Sequence, residues 1–106
     1  MEIGNNITYL ELEEIIQNQG FVLGEKMTGI GNIFDEVVLL KYYYRNSHKI
    51  CARVYVNNRT NIVTSFCIDC NSLSINVYNA VNEIKILLSH EVIILIRDKN
   101  IESLLT

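Results

Sequence analysis

The chain has 106 residues, a net charge of −3, and neither proline nor tryptophan. This is the length of one small domain, so we expect a single domain over residues 1–106, and a hydrophobic content of 49% excludes a disordered chain. The longest strongly apolar run, residues 92–96, is far shorter than the roughly 20 residues that span a bilayer. The first six residues lack the basic and apolar regions of a signal peptide, so we expect a cytoplasmic protein without membrane contact.

Cysteine usage and residue bias bear on where the protein acts. Three cysteines are an odd number, which in a chain without a secretion signal favours reduced thiols over a disulfide framework. Asparagine and isoleucine are abundant, a bias associated with low-GC genomes. We therefore interpret the chain as the product of a phage or another mobile element.

The first predicted element is a helix over residues 8–19. Thr8 can cap its N-terminus, Glu11 three residues later completes a capping box, and Gly20 can end the helix. Apolar residues recur at helical spacing in this segment, at Tyr9, Leu12, Ile15 and Ile16. The sequence therefore predicts an amphipathic helix.

Strand-like segments occupy the middle of the chain. They are rich in β-branched and aromatic residues, and polar or glycine-containing turns separate them. Gly29 and Gly31 match no phosphate-binding motif, so we interpret them as part of a hairpin turn. The predicted strands, which form an antiparallel meander, are residues 21–27, 33–44, 49–56 and 62–68.

Residues 33–44 are apolar on both alternating faces, so their register is predicted from the burial of one face. Pairing Arg45 with His48, and Val56 with Ile62, creates one apolar face. The expected core face contains Val37, Leu39, Tyr43, Ile50, Val54, Val56, Ile62, Thr64, Phe66 and Ile68. The opposite face then contains Val38, Leu40, Tyr42, Tyr44, Lys49, Cys51, Arg53, Tyr55, Val63 and Cys67.

The period of the sequence changes after Cys70. Apolar residues at helical spacing predict a second helix near residues 74–89, although residues 72–78 also alternate and leave a short strand open. Residues 91–97 are predicted as a buried strand, and Asp98 can cap a short terminal helix. The expected fold class is therefore α+β, with an N-terminal helix, a four-stranded antiparallel meander, a second helix, and a final strand or short helix.

Two residue pairs have the spacing of metal-binding knuckles, His48 with Cys51 and Cys67 with Cys70. The predicted register places Cys51 opposite Cys67. Against a zinc site, neither pair has the glycine or proline that shapes a knuckle, and Cys51 lies inside a strand. Buried thiols account for the same residues. We therefore expect no metal and no cofactor.

The face opposite the expected core is the surface on which we expect binding. Tyrosine and arginine are typical of contact surfaces, and residues 37–68 contain five basic residues and no acidic one. We predict that the partner-binding residues are Tyr42, Tyr44, Lys49, Arg53 and Tyr55. The alternative is that a helix covers this face and that the tyrosines belong to the core.

The expected function is that of a small non-catalytic protein-binding module, an inhibitor or adaptor. The carboxylates form no pair and only two histidines are present, so few residues could support catalysis. The expected partner is a protein, including a second copy in a homodimer, because the acidic remainder of one chain complements the basic hairpin of another. The alternative is a nucleotide or single-stranded nucleic-acid binder that uses the same basic aromatic face.

Overall fold

The structure, a computed structural model, describes residues 6–28, 37–71 and 74–105. Its elements, in chain order, are α1 (Tyr9–Asn18), β1 (Phe21–Thr28), β2 (Val37–Tyr44), β3 (Ser47–Asn57), β4 (Val63–Cys70) and α2 (Ile75–Leu105). This order confirms the α+β class, the four-stranded meander and a helix as the final element. The expected glycine turn at Gly29 and Gly31 lies outside the described residues, as does the expected start of the central strand.

The capping box places the beginning of α1. The Thr8 hydroxyl accepts a hydrogen bond from the Glu11 N–H at 3.3 Å, and the Glu11 carboxylate accepts one from the Thr8 N–H at 3.0 Å. These bonds satisfy donors that the first helical turn leaves unpaired. Gly20 follows the helix with a φ of 99°, a conformation that glycine adopts without steric cost. The helix expected over residues 8–19 is therefore confirmed to within one residue at each end.

The four strands form one antiparallel sheet in the order β1-β2-β3-β4. A turn at residues 45–46 joins β2 to β3. The turn between β3 and β4 is stabilised by Asn57, whose side-chain carbonyl accepts the N–H groups of Arg59 and Thr60 at 2.9 and 3.3 Å. The meander expected between residues 21 and 68 is thus confirmed for the part that the structure describes.

The register of β2 differs from the expected one by a single residue. Leu39 lies opposite Tyr55, whereas we expected it opposite Val54. Because side chains alternate along a strand, this slip exchanges the two faces of β2 relative to β3. The residues of β2 that enter the core are Val38, Leu40 and Tyr42. The expected core face is therefore wrong for β2 but correct for β3, where Ile50, Val54 and Val56 are buried.

The charge of Lys41 explains why β2 adopts this register. Lys41 lies on the face of β2 that we expected in the core, and burying an unpaired charge is costly. The observed register places Lys41 opposite Arg53 on the face that the helices do not cover. Only the faces of β2 and β3 without charged residues enter the core.

A bulge shifts the pairing at the beginning of β4. Val56 pairs with Val63 rather than with Ile62, and Thr64 is the extra residue of the bulge. Val63 is consequently buried and Thr64 exposed, which is the reverse of the expectation. Beyond the bulge the alternation is as predicted, with Phe66 and Ile68 buried.

A single helix, α2, occupies the C-terminal region. The strand expected over residues 91–97 does not form, because these residues continue the helix. The buried residues keep helical spacing across this point, at Val81, Ile84, Leu88 and Val92. Residues 75–78, for which a strand or a helix was expected, are helical. Residues 92–96 are apolar on every side of the helix, and this hides the helical period in the sequence.

Both helices pack on the same face of the sheet, which we call the covered face. One cluster of buried residues joins α1, α2 and this face, and its largest fully buried members are Tyr42, Phe21, Ile7, Leu12, Ile16, Ile50 and Leu88. Among the described residues, neither helix combines the length and the hydrophobicity that a membrane span requires.

An ion pair joins the two helices to each other. The Lys99 ammonium on α2 lies 2.7 Å from the Glu11 carboxylate on α1. Burial disfavours the charged carboxylate, but the hydrogen bonds from Lys99 and Thr8 outweigh it and lower the pKa of Glu11. The carboxylate that caps α1 thus also anchors α2.

Candidate functional site

The sheet face opposite the helices, which we call the open face, carries three rows of side chains across the four strands. The rows are Met27, Leu39, Tyr55 and Ser65; Glu25, Lys41, Arg53 and Cys67; and Val22, Tyr43, Cys51 and Asp69. None of these residues belongs to the core cluster. The open face therefore combines an apolar row, a charged row and a mixed row.

Two cations lie opposite each other in the charged row, Lys41 on β2 and Arg53 on β3. Like charges at opposite positions repel, but each cation has a carboxylate neighbour. Glu25 is opposite Lys41, and Asp69 accepts a hydrogen bond from the Arg53 guanidinium. The side chains of Arg53 and Asp69 are 39% and 42% exposed, so this ion pair contributes little to stability. Both side chains are accessible to a partner.

The carboxylate of Asp69 dominates the electrostatics around Arg53 and Cys67. Burial disfavours the charged guanidinium, but Asp69 outweighs this effect and raises the pKa of Arg53. Burial, together with the carboxylate of Asp69, raises the pKa of the Cys67 thiol, whose Sγ lies 3.7 Å from Asp69 Oδ2. Because the thiolate is the nucleophilic form, a raised pKa argues against Cys67 as a nucleophile.

Tyr43 is held in a fixed position at one end of the open face. Its hydroxyl donates a hydrogen bond to Glu25 at 3.0 Å, and the Lys41 ammonium lies 5.5 Å from its ring centroid. Gly24 is the extra residue of a bulge in β1, and a Cβ at this position would overlap the Tyr43 ring. The absence of a side chain at Gly24 thus makes room for the ring.

The apolar row adds contact area beside the charges. Met27 is 38% exposed, Tyr55 is half-buried, and Leu39 between them is 7% exposed. Aromatic residues, methionine and arginine are the residues enriched in protein contact surfaces. The open face has this composition.

The five predicted contact residues do not share one face. Arg53 and Tyr55 lie on the open face, as expected. Lys49 is exposed near the beginning of β3. Tyr42 and Tyr44 lie on the covered face, so the prediction that they share a surface with Arg53 is wrong. For these two tyrosines the alternative, in which helices cover them, is correct.

Tyr42 and Tyr44 make structural contacts. Tyr42 is fully buried, and its hydroxyl donates a hydrogen bond to the Glu13 carboxylate on α1. Burial, followed by the hydrogen bond and the charge of Glu13, raises the pKa of Tyr42. The Tyr44 ring is half-buried, with its centroid 5.0 Å from that of Phe21. These contacts hold α1 and β1 against β2.

The strand pairing separates Cys51 from Cys67, which the predicted register placed opposite each other. Cys51 lies opposite Asp69, and Cys67 lies opposite Arg53, so the expected Cys51–Cys67 pair does not form. Cys70 packs against the core cluster on the covered face. Among the described residues, no three histidine, cysteine or acidic side chains are grouped to hold a metal ion. No disulfide joins the three cysteines.

Lys41 and Tyr43 are open-face residues that sequence reasoning did not assign to the site. The signal that could have found them is the charge of Lys41, which disfavours burial of its whole face. Gly24 is a second signal, because a glycine inside a strand indicates a bulge or a close approach. Only the pairing shows that the approaching group is Tyr43.

Comparisons with known proteins add no functional information. No family model, curated protein or solved structure gives a significant match to this chain. A fold of this class hosts many functions, so the function has to be argued from the chemistry of the open face.

Proposed function

We propose that this chain is a small non-catalytic protein-binding module, an inhibitor or adaptor, that contacts its partner through the open face. One observation carries the proposal: both described helices pack on the covered face, while the open face presents aromatic and apolar side chains. The uncovered face of an antiparallel sheet is ordinarily polar. The open face instead has Tyr43, Tyr55 and Met27 around Arg53. Tyrosine and arginine are the residues on which protein contacts most often depend.

The charged row defines the chemistry that a partner should have. Lys41 and Arg53 are adjacent, and an acidic side chain placed between them would relieve their mutual repulsion. The guanidinium of Arg53 can hold two acceptors at once, so it can keep Asp69 and still bind a second carboxylate. We therefore expect the partner to present an acidic residue beside an apolar patch that covers Leu39 and Tyr55.

The carboxylates on the open face favour a protein over a nucleic acid as the binding partner. Arg53 is paired with Asp69, and Lys41 lies opposite Glu25. Two cations and two carboxylates leave the three rows without net charge. Phosphate binding derives its affinity from surplus positive charge, which this face lacks.

The proposal extends to location and origin. The three cysteines are thiols, which supports action in a reducing compartment, and we propose the cytoplasm. Expression by a phage or another mobile element remains a prediction from residue bias. Self-association, which the sequence also led us to expect, would involve a different surface, the outer side of α2.

Charge reversal on the open face tests the proposed function. Wild type, Arg53→Glu, Tyr55→Ala and the control Arg45→Glu would be immobilised and exposed to host extract. Arg45 is an exposed cation in the turn between β2 and β3, so its reversal changes net charge equally but leaves the three rows intact. A protein retained by wild type and by Arg45→Glu, but lost from both open-face variants, supports the proposal. Retention of the same protein by wild type and by all three variants contradicts it.

Two further measurements complete this test. Circular dichroism should show that Arg53→Glu is folded, because the side chain is 39% exposed; an unfolded variant would indicate an interior role for Arg53. Salt titration against a single-stranded oligonucleotide tests the alternative. Binding that weakens steeply with salt and is lost in Arg53→Glu would favour the nucleic-acid function.

A further inference from the structure

The helix α2 carries large apolar residues on the side that faces solvent as well as on the side that faces the sheet. Ile86 and Ile93 are 70% and 61% exposed, although they belong to a helix whose other side enters the core. Large exposed apolar side chains that lie together mark a contact surface more often than isolated ones do, and these two lie about two turns apart on the same side of α2.

The exposed isoleucines belong to a regular stripe. Asn79, Ile86, Ile93 and Asn100 follow one another at intervals of seven residues, and all four are exposed. Residues seven apart lie almost on one line along a helix. The order Asn-Ile-Ile-Asn is the same in both directions. Such a stripe is complementary to a second copy of itself that runs antiparallel.

The charges beside the stripe have the same symmetry. Glu83 lies four residues after Asn79, and Arg97 lies four residues after Ile93, so both are on the same side of the stripe. Both side chains are exposed. In an antiparallel pair, Glu83 of one copy and Arg97 of the other lie at nearly the same height along the helix axis. The difference in height is about 1.5 Å, the rise of one residue. Glu83 of each copy thus meets Arg97 of the other, so that one ion pair forms on either side of the centre of the helix pair.

We propose that a second copy of this chain packs antiparallel along the outer side of α2, with the two-fold axis between Ser89 and His90. Ile86 packs against the partner's Ile93, and Asn79 lies opposite the partner's Asn100. The isoleucines at the centre provide apolar burial. Paired asparagines at the ends favour this register over antiparallel alignments shifted by one heptad, which place an asparagine against an isoleucine.

The dimensions of this contact predict its strength. From Asn79 to Asn100 the stripe is about 32 Å long, at 1.5 Å per residue. A contact between two single helices is at the low end of specific protein interfaces, so we expect a dimer with a micromolar dissociation constant.

The dimer surface and the open face lie on opposite sides of the molecule. The covered face of the sheet and the helices separate them, because α2 packs on the covered face and its stripe points away from it. Dimerisation would leave both open faces accessible. Failure of one proposal therefore does not imply failure of the other.

Sedimentation velocity over concentrations from about 1 to 200 µM, the range of a micromolar contact, tests the dimer. We expect wild type to reach a mass of twice the 12.2 kDa of one chain. Ile86→Asp should remain monomeric over this range. The matched control is Leu87→Asp, because Leu87 is a 52% exposed apolar residue on the same helix but one residue off the stripe. This control should dimerise as wild type does.

A charge exchange tests the antiparallel register. Glu83→Arg and Arg97→Glu should each raise the dissociation constant about tenfold or more at low salt, because each places like charges together. The double variant should return to within about threefold of wild type, since it restores both ion pairs with their signs exchanged. A purely structural role for either residue would not produce this rescue.

Several outcomes would overturn the proposal. A wild-type protein that is monomeric at 200 µM excludes the dimer, and an Ile86→Asp variant that dimerises normally excludes this stripe. A double variant as weak as the single ones excludes the antiparallel register. Arg53→Glu should leave the dimer unchanged, and its dissociation would assign self-association to the open face instead.

Discussion

The covered and open faces of the same sheet differ in what their side chains do. On the covered face, Tyr42 is fully buried and bound to Glu13, and the residues of β2 on this face carry no charge. On the open face, Lys41 and Arg53 lie opposite each other among half-buried tyrosines. A single charged side chain, Lys41, distinguishes the two faces of a strand that is otherwise apolar on both sides. The covered face thereby contributes the stability of the core, and the open face remains accessible for the binding that we propose.

The largest expected effect is a difference in the free energy of unfolding between variants of two adjacent tyrosines, Tyr42 and Tyr43. Tyr42→Ala should lower the free energy of unfolding by about 3–5 kcal/mol, the cost of removing a large buried side chain. Tyr43→Ala, on the open face, should lower it by less than about 1 kcal/mol. Urea denaturation of both variants measures the difference. Equal losses would show that the two faces are not distinct in their contribution to stability.

Tyr42→Phe isolates the hydrogen bond between the covered face and α1. Removing a bond to a charged acceptor should cost about 1.5 kcal/mol at pH 7. The raised pKa of Tyr42 means that the unfolded chain ionises first. This residue therefore contributes stability below pH about 10, and the contribution is lost as the pH rises further.

Denaturation of wild type and Tyr42→Phe from pH 7 to 11 measures this effect. The wild-type protein should lose more stability than the variant above pH 10, so that the two curves converge. Tyr43→Phe serves as the control, because its hydroxyl bond to Glu25 is exposed. Parallel curves would contradict the role assigned to Tyr42.

A smaller effect is expected where α1 and α2 meet. Glu11→Gln keeps an acceptor for the Thr8 N–H but removes the charge that pairs with Lys99. The carboxylate is 33% exposed, so we expect a loss of about 0.5 kcal/mol at pH 7. Because the pKa of Glu11 is lowered, this stabilisation is present above about pH 4.3 and is lost as the pH falls through the folded-state pKa. An acid denaturation series in which wild type and variant do not converge would disprove this assignment.

The smallest change in stability is expected for the open-face ion pair. Asp69→Asn should change the free energy of unfolding by less than about 0.5 kcal/mol, since both partners are exposed. It should nevertheless speed the alkylation of Cys67, because the carboxylate that helps to raise the pKa of that thiol is removed. Mass spectrometry of peptides after timed alkylation at pH 8 measures the rate. Cys70, on the covered face, is the internal control, and a Cys67 rate that does not increase would show that burial alone holds its pKa.

The elements with local signals could be predicted from the amino-acid sequence. The capping box of Thr8 and Glu11 placed the beginning of α1, and alternation with polar turns placed β2 to β4. The buried face of β3 was also predictable, because its alternation is clean. For the candidate site, this reasoning found Arg53 and Tyr55, which share the open side of that strand.

Features that depend on contacts between residues distant in sequence could not be predicted in this way. The face of β2 that enters the core was decided by its register against β3, since both faces of β2 are apolar and a one-residue slip exchanges them. The bulge at Thr64 and the placement of Tyr43 over Gly24 likewise exist only when strands pair. Residues 91–97 became helix rather than strand because Leu88 and Val92 pack in one continuous core. A local pattern records the preference of a segment, whereas burial against the rest of the chain selects among the conformations that the pattern allows.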